Sequence, residues 1–165
     1  SKRKESFYKY LKECKGYFLN FNYTETLQKL YCIQDQDVLH IHGFRGDGES
    51  SIIMGHNSGE IEYESAMLGY DDNIRSLHAV LKKNLQLDTL KKFLNTCEDI
   101  INIICIGFSF GDSDDEYIRA LINHPKTSHA TWLLNEHKED EVAEQSRKLQ
   151  RFGVDPSKIT SEKIL

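Results

Sequence analysis

Residues 100–118 read IINIICIGFSFGDSDDEYI, and this stretch decides the fold. Its first part, 100–108, is almost wholly apolar and rich in Ile, the mark of a strand covered on both faces. Gly107 closes the run. Ser113-x-x-Glu116 then predicts a capping box ahead of a helix whose Tyr117, Ile118, Leu121 and Ile122 share a face. A buried strand that turns into a capped helix is the repeating unit of a parallel sheet.

The flanks repeat the pattern. YFLNFNY (17–23), DVLHIHG (37–43) and ATWLLN (130–135) predict further strands, and SIIMG (51–55) a short one after the turn-rich GFRGDGESS. Apolar residues at helical spacing predict helices over 1–15, 24–31, two stretches within 74–97, and 138–151. Thr24 is the expected cap of the second helix. Residues 56–73 carry no clear period. Gly153 and Pro156 end the last helix and leave room for one more short strand. Alternating strands and helices predict an α/β, Rossmann-like layered fold with a mostly parallel sheet flanked by helices. No linker or internal repeat divides the chain, so residues 1–165 read as one domain.

Composition narrows the class. With 165 residues, 39% hydrophobic and 28% charged, the chain can bury one core. Two prolines and ten glycines without a repeat exclude collagen-like and low-complexity chains. No apolar run approaches the ~18 residues of a membrane span. A net charge of −5 argues against broad nucleic-acid binding, and the early basic residues (Lys2, Arg3, Lys4, Lys9, Lys12, Lys15) read as a solvated helix face. Four cysteines, at 14, 32, 97 and 105, form no CxxC, which excludes a zinc knuckle and a thioredoxin-type pair. Cys105 reads as core filler. The charged start resembles no leader peptide, so a reduced cytoplasmic protein is the expectation.

In doubly wound sheets, ligands bind outside the carboxyl ends of the strands. The strand assignments therefore predict a site. The first delivers Asn20, Asn22 and Tyr23 to that edge, the second His42 and Gly43, the third Gly107, Ser109 and Asp112, the fourth Asn135. In GFSFGDSDDE (107–116) the glycine and the helix start would let backbone N–H groups approach an anion or a sugar. Asp112, Asp114, Asp115 and Glu116, however, put four carboxylates in one turn, which suits ribose hydroxyls or a metal better than phosphate. The same acids could simply satisfy the helix N-terminus.

Two other chemistries compete. Gly107, Ser109 and Gly111 fit G-x-S-x-G, the nucleophile elbow of serine hydrolases, although only one convincing strand follows to carry His124, His129 or His137 into a triad. His40 and His42 are two apart on a predicted strand, so both would point to one face and, with His56 or Asp112, could hold a metal. The bland alternative packs one in the core and leaves the other at the surface. His42 alone, beside Gly43 at a strand end, suits a general base. Tyr117, Trp132 and the early aromatics read as core.

FLNFNYTETLQKLY (18–31), VLHIHG (38–43), IIMGHN (52–57) and IGFSFGDSDDEYI (106–118) together resemble the bacterial abortive-infection AbiH family and, more broadly, the sirtuin-like domains of phage-defence proteins. The resemblance implies a sheet that holds NAD or a related nucleotide such as ADP-ribose. Asn22 would contact the nicotinamide ribose, and His42 would be the catalytic base. Gly107 and Ser109 would approach ribose and phosphates, and the reaction would cleave the nicotinamide–ribose bond. Thr24 stands where many sirtuin-like domains carry an aspartate, and the paired CxxC zinc module is absent, so protein deacetylation is not implied. The glycine-rich first strand-turn-helix that holds the pyrophosphate in such families does not precede residue 17. The chain is therefore expected to lack that first unit and to be the C-terminal part of a longer protein, or else to have lost nucleotide chemistry. A small-molecule nucleotide is the expected partner. A non-catalytic nucleotide-binding or protein-interaction module is the alternative, and self-association stays open.

Overall fold

The structure, a computed structural model, describes residues 4–47, 52–53, 85–136 and 139–164. The strand expected over 51–55 and the helical stretch marked by Ile74, Leu77 and Leu81 lie outside these residues, apart from Ile52 and Ile53, which are not in a strand. The described elements are α1 (Glu5–Glu13), β1 (Phe18–Asn20), α2 (Thr26–Tyr31), β2 (Val38–His40), α3 (Leu87–Thr96), β3 (Asn102–Cys105), α4 (Asp115–Asn123), β4 (Thr131–Asn135), α5 (Glu139–Arg151) and β5 (Ile159–Glu162). The last strand fills the room left after Gly153 and Pro156. None of the described helices is long and apolar enough to cross a membrane.

Every described pairing is parallel, as the apolar strands require. β1 lies beside β2, with Asn20 opposite His40. β3, β4 and β5 pair in that order, with Cys105 opposite Leu134 and Asn135 opposite Glu162. The strands thus divide into a sheet of two and a sheet of three. Helix α4 joins their cores. Its Tyr117 and Ile118 are both buried but, being successive helical residues about 100° apart, face different neighbours. Tyr117 packs with Ile41, Leu90 and Leu94, on β2's continuation and α3. Ile118 packs with Trp132, Leu134 and Leu149, on β4 and α5. Cys105 lies against this second core, and burial pushes its thiol up to about 12.

Two helix starts depart from the sequence expectation. A 3-10 turn, Asp112–Asp114, precedes α4, and Asp114 takes the cap position without a side-chain cap bond. The Ser113–Glu116 box does not form, because the 3-10 turn moves the cap one residue on to Asp114, which puts Tyr117 at the third helical position, and Glu116 faces Arg119 at 3.6 Å. At α2, Glu25 rather than Thr24 stands at the cap, and Thr24 Oγ1 meets Thr26 Oγ1 at 2.9 Å instead.

Candidate functional site

The carboxyl ends of β1, β2 and β3 come together. Phe21, one residue past β1, lies 4.3 Å from the ring of Phe108, three residues past β3, and 5.4 Å from the ring of His42, two residues past β2. Tyr117 closes the group from α4, its ring 5.7 Å from His42. His42 is 4% exposed, and its Nε2 stands 3.2 Å from Asp114 Oδ1. An ionised carboxylate can only accept, so Nε2 carries the hydrogen. Burial pushes the nearby Tyr117 phenol above its ordinary value, and Asp114 adds to that rise.

His40 and His42 do not act as a pair. β2 ends at His40, so the strand alternation that would align them stops before His42. His40 Nε2 meets Gln28 Nε2 at 2.9 Å, and its Nδ1 lies 3.3 Å from the Asn22 carbonyl. His42 is instead the packed histidine. Among the described residues, no group of three His, Cys, Asp or Glu side chains is placed to hold a metal; His56 lies outside them.

Asn20, not Asn22, is the buried amide at the end of β1. Its Oδ1 accepts from the Asn22 N–H at 2.9 Å and its Nδ2 donates to the Thr24 carbonyl at 3.3 Å, an Asx-type turn that leaves the Asn22 side chain exposed. The Tyr23 hydroxyl donates to the Ile53 carbonyl at 3.1 Å, and the Ile53 N–H donates to the His42 carbonyl at 2.9 Å, which ties Tyr23 to the His42 segment. Gly43 turns the chain with φ 75°, its N–H donating to the His40 carbonyl at 3.1 Å. A cavity of about 310 Å³ opens beside Tyr23, with Thr24, Lys29 and Arg45 among its walls. Asn135 stands apart: its Oδ1 accepts from the Ile164 N–H at 2.9 Å and so secures the tail.

The turn after β3 is not the open row of four acids that the sequence suggests. Lys148 reaches it from α5, 5% exposed, with Nζ 2.8 Å from Asp112 Oδ1, 2.6 Å from Asp115 Oδ1 and 2.7 Å from the Phe110 carbonyl. Burial alone would lower the Lys148 ammonium, but its bonds to Asp112 and Asp115 outweigh this and raise it above its ordinary value. Lys148 likewise holds the Asp112 carboxyl below the usual carboxylate range. With Asp114 on His42 and Glu116 facing Arg119, each acid has a counterpart, but Lys148 and Arg119 bring two charges against four, so the repulsion of phosphate expected from the sequence is reduced and not removed. Gly107 and Ser109 are exposed on this turn.

The nucleophile-elbow pattern lacks its geometry. The left-handed backbone falls at Gly107 (φ 62°) and Phe110 (φ 56°), not at Ser109. Of the later histidines, His124 is buried with Asn95 at 3.2 Å, His129 is exposed, and His137 lies outside the described residues. None of those described hydrogen-bonds Ser109.

Sequence reasoning missed Lys148 and Gln145, whose Nε2 donates to the Phe108 carbonyl at 3.1 Å. They stand one helical turn apart beside the apolar residues Val142 and Leu149, and polar residues at that position are the sequence sign of an inward-facing pair. A family model described as bacteriophage abortive infection AbiH matches residues 2–136. No curated protein and no solved structure gives a match.

Proposed function

The chain belongs to the bacteriophage abortive-infection AbiH family, and from that premise we propose that it handles an NAD- or ADP-ribose-like nucleotide at the joined ends of β1, β2 and β3. The observation that carries this reading is the meeting of His42 with Asp114, at 3.2 Å, where three independent strand ends converge. Strand ends are where open α/β sheets bind nucleotides. The exposed Gly107–Ser109 turn offers a hydroxyl and backbone N–H groups to ribose. Arg45 lines a cavity beside Tyr23 and suits phosphate, whereas Lys29 in the same wall is held 2.6 Å from Glu25. Asn22 and Asp112 stand exposed for hydroxyl contacts, whereas Asn135 is engaged with the tail and contributes least.

The chemistry is cleavage of the nicotinamide–ribose bond, as in sirtuin-like domains. The bonding pair leaves with nicotinamide, and water adds to the ribose carbon while a base takes its proton. His42 is the base in this reading, with Asp114 fixing its ring. Purified protein incubated with NAD should release nicotinamide, and His42→Ala should not. Equal rates in the two would remove His42 from the mechanism.

The burial of His42, at 4% exposure, favours a second reading, a module that binds nucleotide without turnover. ADP-ribose would then raise the melting temperature while NAD stays intact. Loss of both effects would sink the nucleotide reading altogether.

A further inference from the structure

We propose that Lys148 is the positioning residue of this site: from α5 it fixes the turn after β3 and so sets Asp114 against His42. The turn's own backbone bond, from the Asp114 N–H to the Gly111 carbonyl at 2.9 Å, leaves the Phe108 and Phe110 carbonyls to partners from elsewhere. Phe110 sits in the left-handed region at φ 56°, where a side chain-bearing residue is strained, and its ring is buried. Two carbonyls of the turn, that of Phe108 and that of Phe110 itself, receive their partners from one helix. Gln145 takes the Phe108 carbonyl at 3.1 Å, and Lys148 takes the Phe110 carbonyl at 2.7 Å.

Lys148 also spans the start of α4. It contacts Asp112 at 2.8 Å and Asp115 at 2.6 Å, on either side of Asp114 in sequence. Three acceptors therefore converge on one ammonium, which is what a buried lysine needs to remain charged. With both neighbours drawn to α5, Asp114 is the carboxylate that faces β2's end, 3.2 Å from His42 Nε2. Phe152, its ring 6.0 Å from Nζ, and Arg119, 3.9 Å from the same ring, complete the cationic side of the group. Lys148 lies beyond residues 2–136, so nothing in the family match assigns it.

This inference rests on reading the 107–115 turn as the ligand-facing element, but its test does not use turnover. The probe is the His42 ring Nε2–H resonance of the full chain in water, which persists only while Asp114 holds the proton from exchange. Lys148→Met should speed its exchange with water at least tenfold and shift it in the direction of Asp114→Asn, with the methyl resonances of Leu90 and Leu94 unmoved. If Lys148→Met does not fold, Lys148→Arg carries the test. It keeps the charge, but a planar guanidinium cannot bring one nitrogen to three acceptors, so exchange should still rise, by a smaller factor. An unchanged His42 resonance in a folded variant overturns the proposal. So does a change spread equally over Leu90 and Leu94, because that is a structural role only. Nicotinamide release can fail while this result holds, so the two readings stand or fall separately.

Discussion

The His42 imidazole and the Asp114 carboxylate face each other at 3.2 Å, linking the end of the two-stranded sheet to the turn that leaves the three-stranded one. The His42 ring is packed by Phe21 and Tyr117. His42 therefore contributes packing as well as chemistry. His42→Ala should cost about 2–4 kcal/mol in urea unfolding, through the cavity it leaves and an Asp114 deprived of its donor. A loss below about 0.5 kcal/mol would show that the ring is not packed as described. Nicotinamide assays on this variant must be run where it is still folded.

Asp112 and Asp115 share Lys148 but not its surroundings. The Asp112 side chain is 97% exposed and that of Asp115 is 24% exposed. Water screens the first pair, so Asp112→Asn should leave the urea midpoint essentially where it is. Asp115→Asn should cost about 1–3 kcal/mol, because it strips a partly buried partner from a buried cation and an acid from the first turn of α4. Equal effects in chemical denaturation would contradict the geometry.

The same cluster contributes to the pH window, weakly at its acid end, where Asp112 is exposed. The Asp112 carboxyl is depressed, so its contribution is present above the unfolded carboxylate value and is lost as pH falls through the folded one. Asp155, held down by the Ser157 N–H and hydroxyl, adds to that acid limb. Lys148 is raised, so its contribution is complete below the unfolded lysine value and is lost as pH rises through the folded one. Cys105, held protonated by burial to about 12, loses its contribution from the unfolded thiol value upward, so the melting temperature should be level between roughly pH 5 and pH 8 and fall on both sides. Lys148→Met should shrink the part of the alkaline limb above roughly pH 10 and leave the thiol part in place; an unaltered profile there would show that the cluster does not contribute.

The thiols should separate by reactivity. Burial raises Cys97 above its ordinary value and Cys105 to about 12, while Cys14 and Cys32 are exposed. Brief iodoacetamide treatment of native protein at pH 8 should label Cys14 and Cys32 first, as read by peptide mass spectrometry. Early labelling of Cys105 would show that the second core opens.

Gly107 tests backbone against packing. Its φ is 62°, yet an added Cβ would meet nothing within 4 Å. Gly107→Ala should therefore cost about 1–2 kcal/mol, all of it conformational. A neutral result would place the turn in an ordinary conformation.

The β3 strand was legible in sequence because its apolar run is continuous, though it begins later than read: Ile101 is 73% exposed. Trp132 and Tyr117 were legible as core by period. The turn after β3 was legible in place, since Gly107 marks it, but not in charge state. Only folding brings Lys148 across 36 residues to Asp112: its place beside Val142 and Leu149 marks it as inward-facing, but nothing local names the partner it meets. The capping box does not form because a 3-10 turn, which no local pattern marks, shifts the helix start by one residue. Of the two readings of His40 and His42, the one that packs a single histidine in the core is the one the structure follows, because alternation holds only while the strand lasts.

The family match stops at residue 136, one position past β4, and β5 and Lys148 lie beyond it. A fragment trimmed to that boundary would turn β4 from an inner strand into a bare rim, its amides open to any passing chain. Such a piece should clump when expressed, and its inactivity would say nothing of the intact molecule. Genome surveys of relatives would do better to look downstream, for a helix delivering a cation to the acidic bend, than to score the matched segment alone.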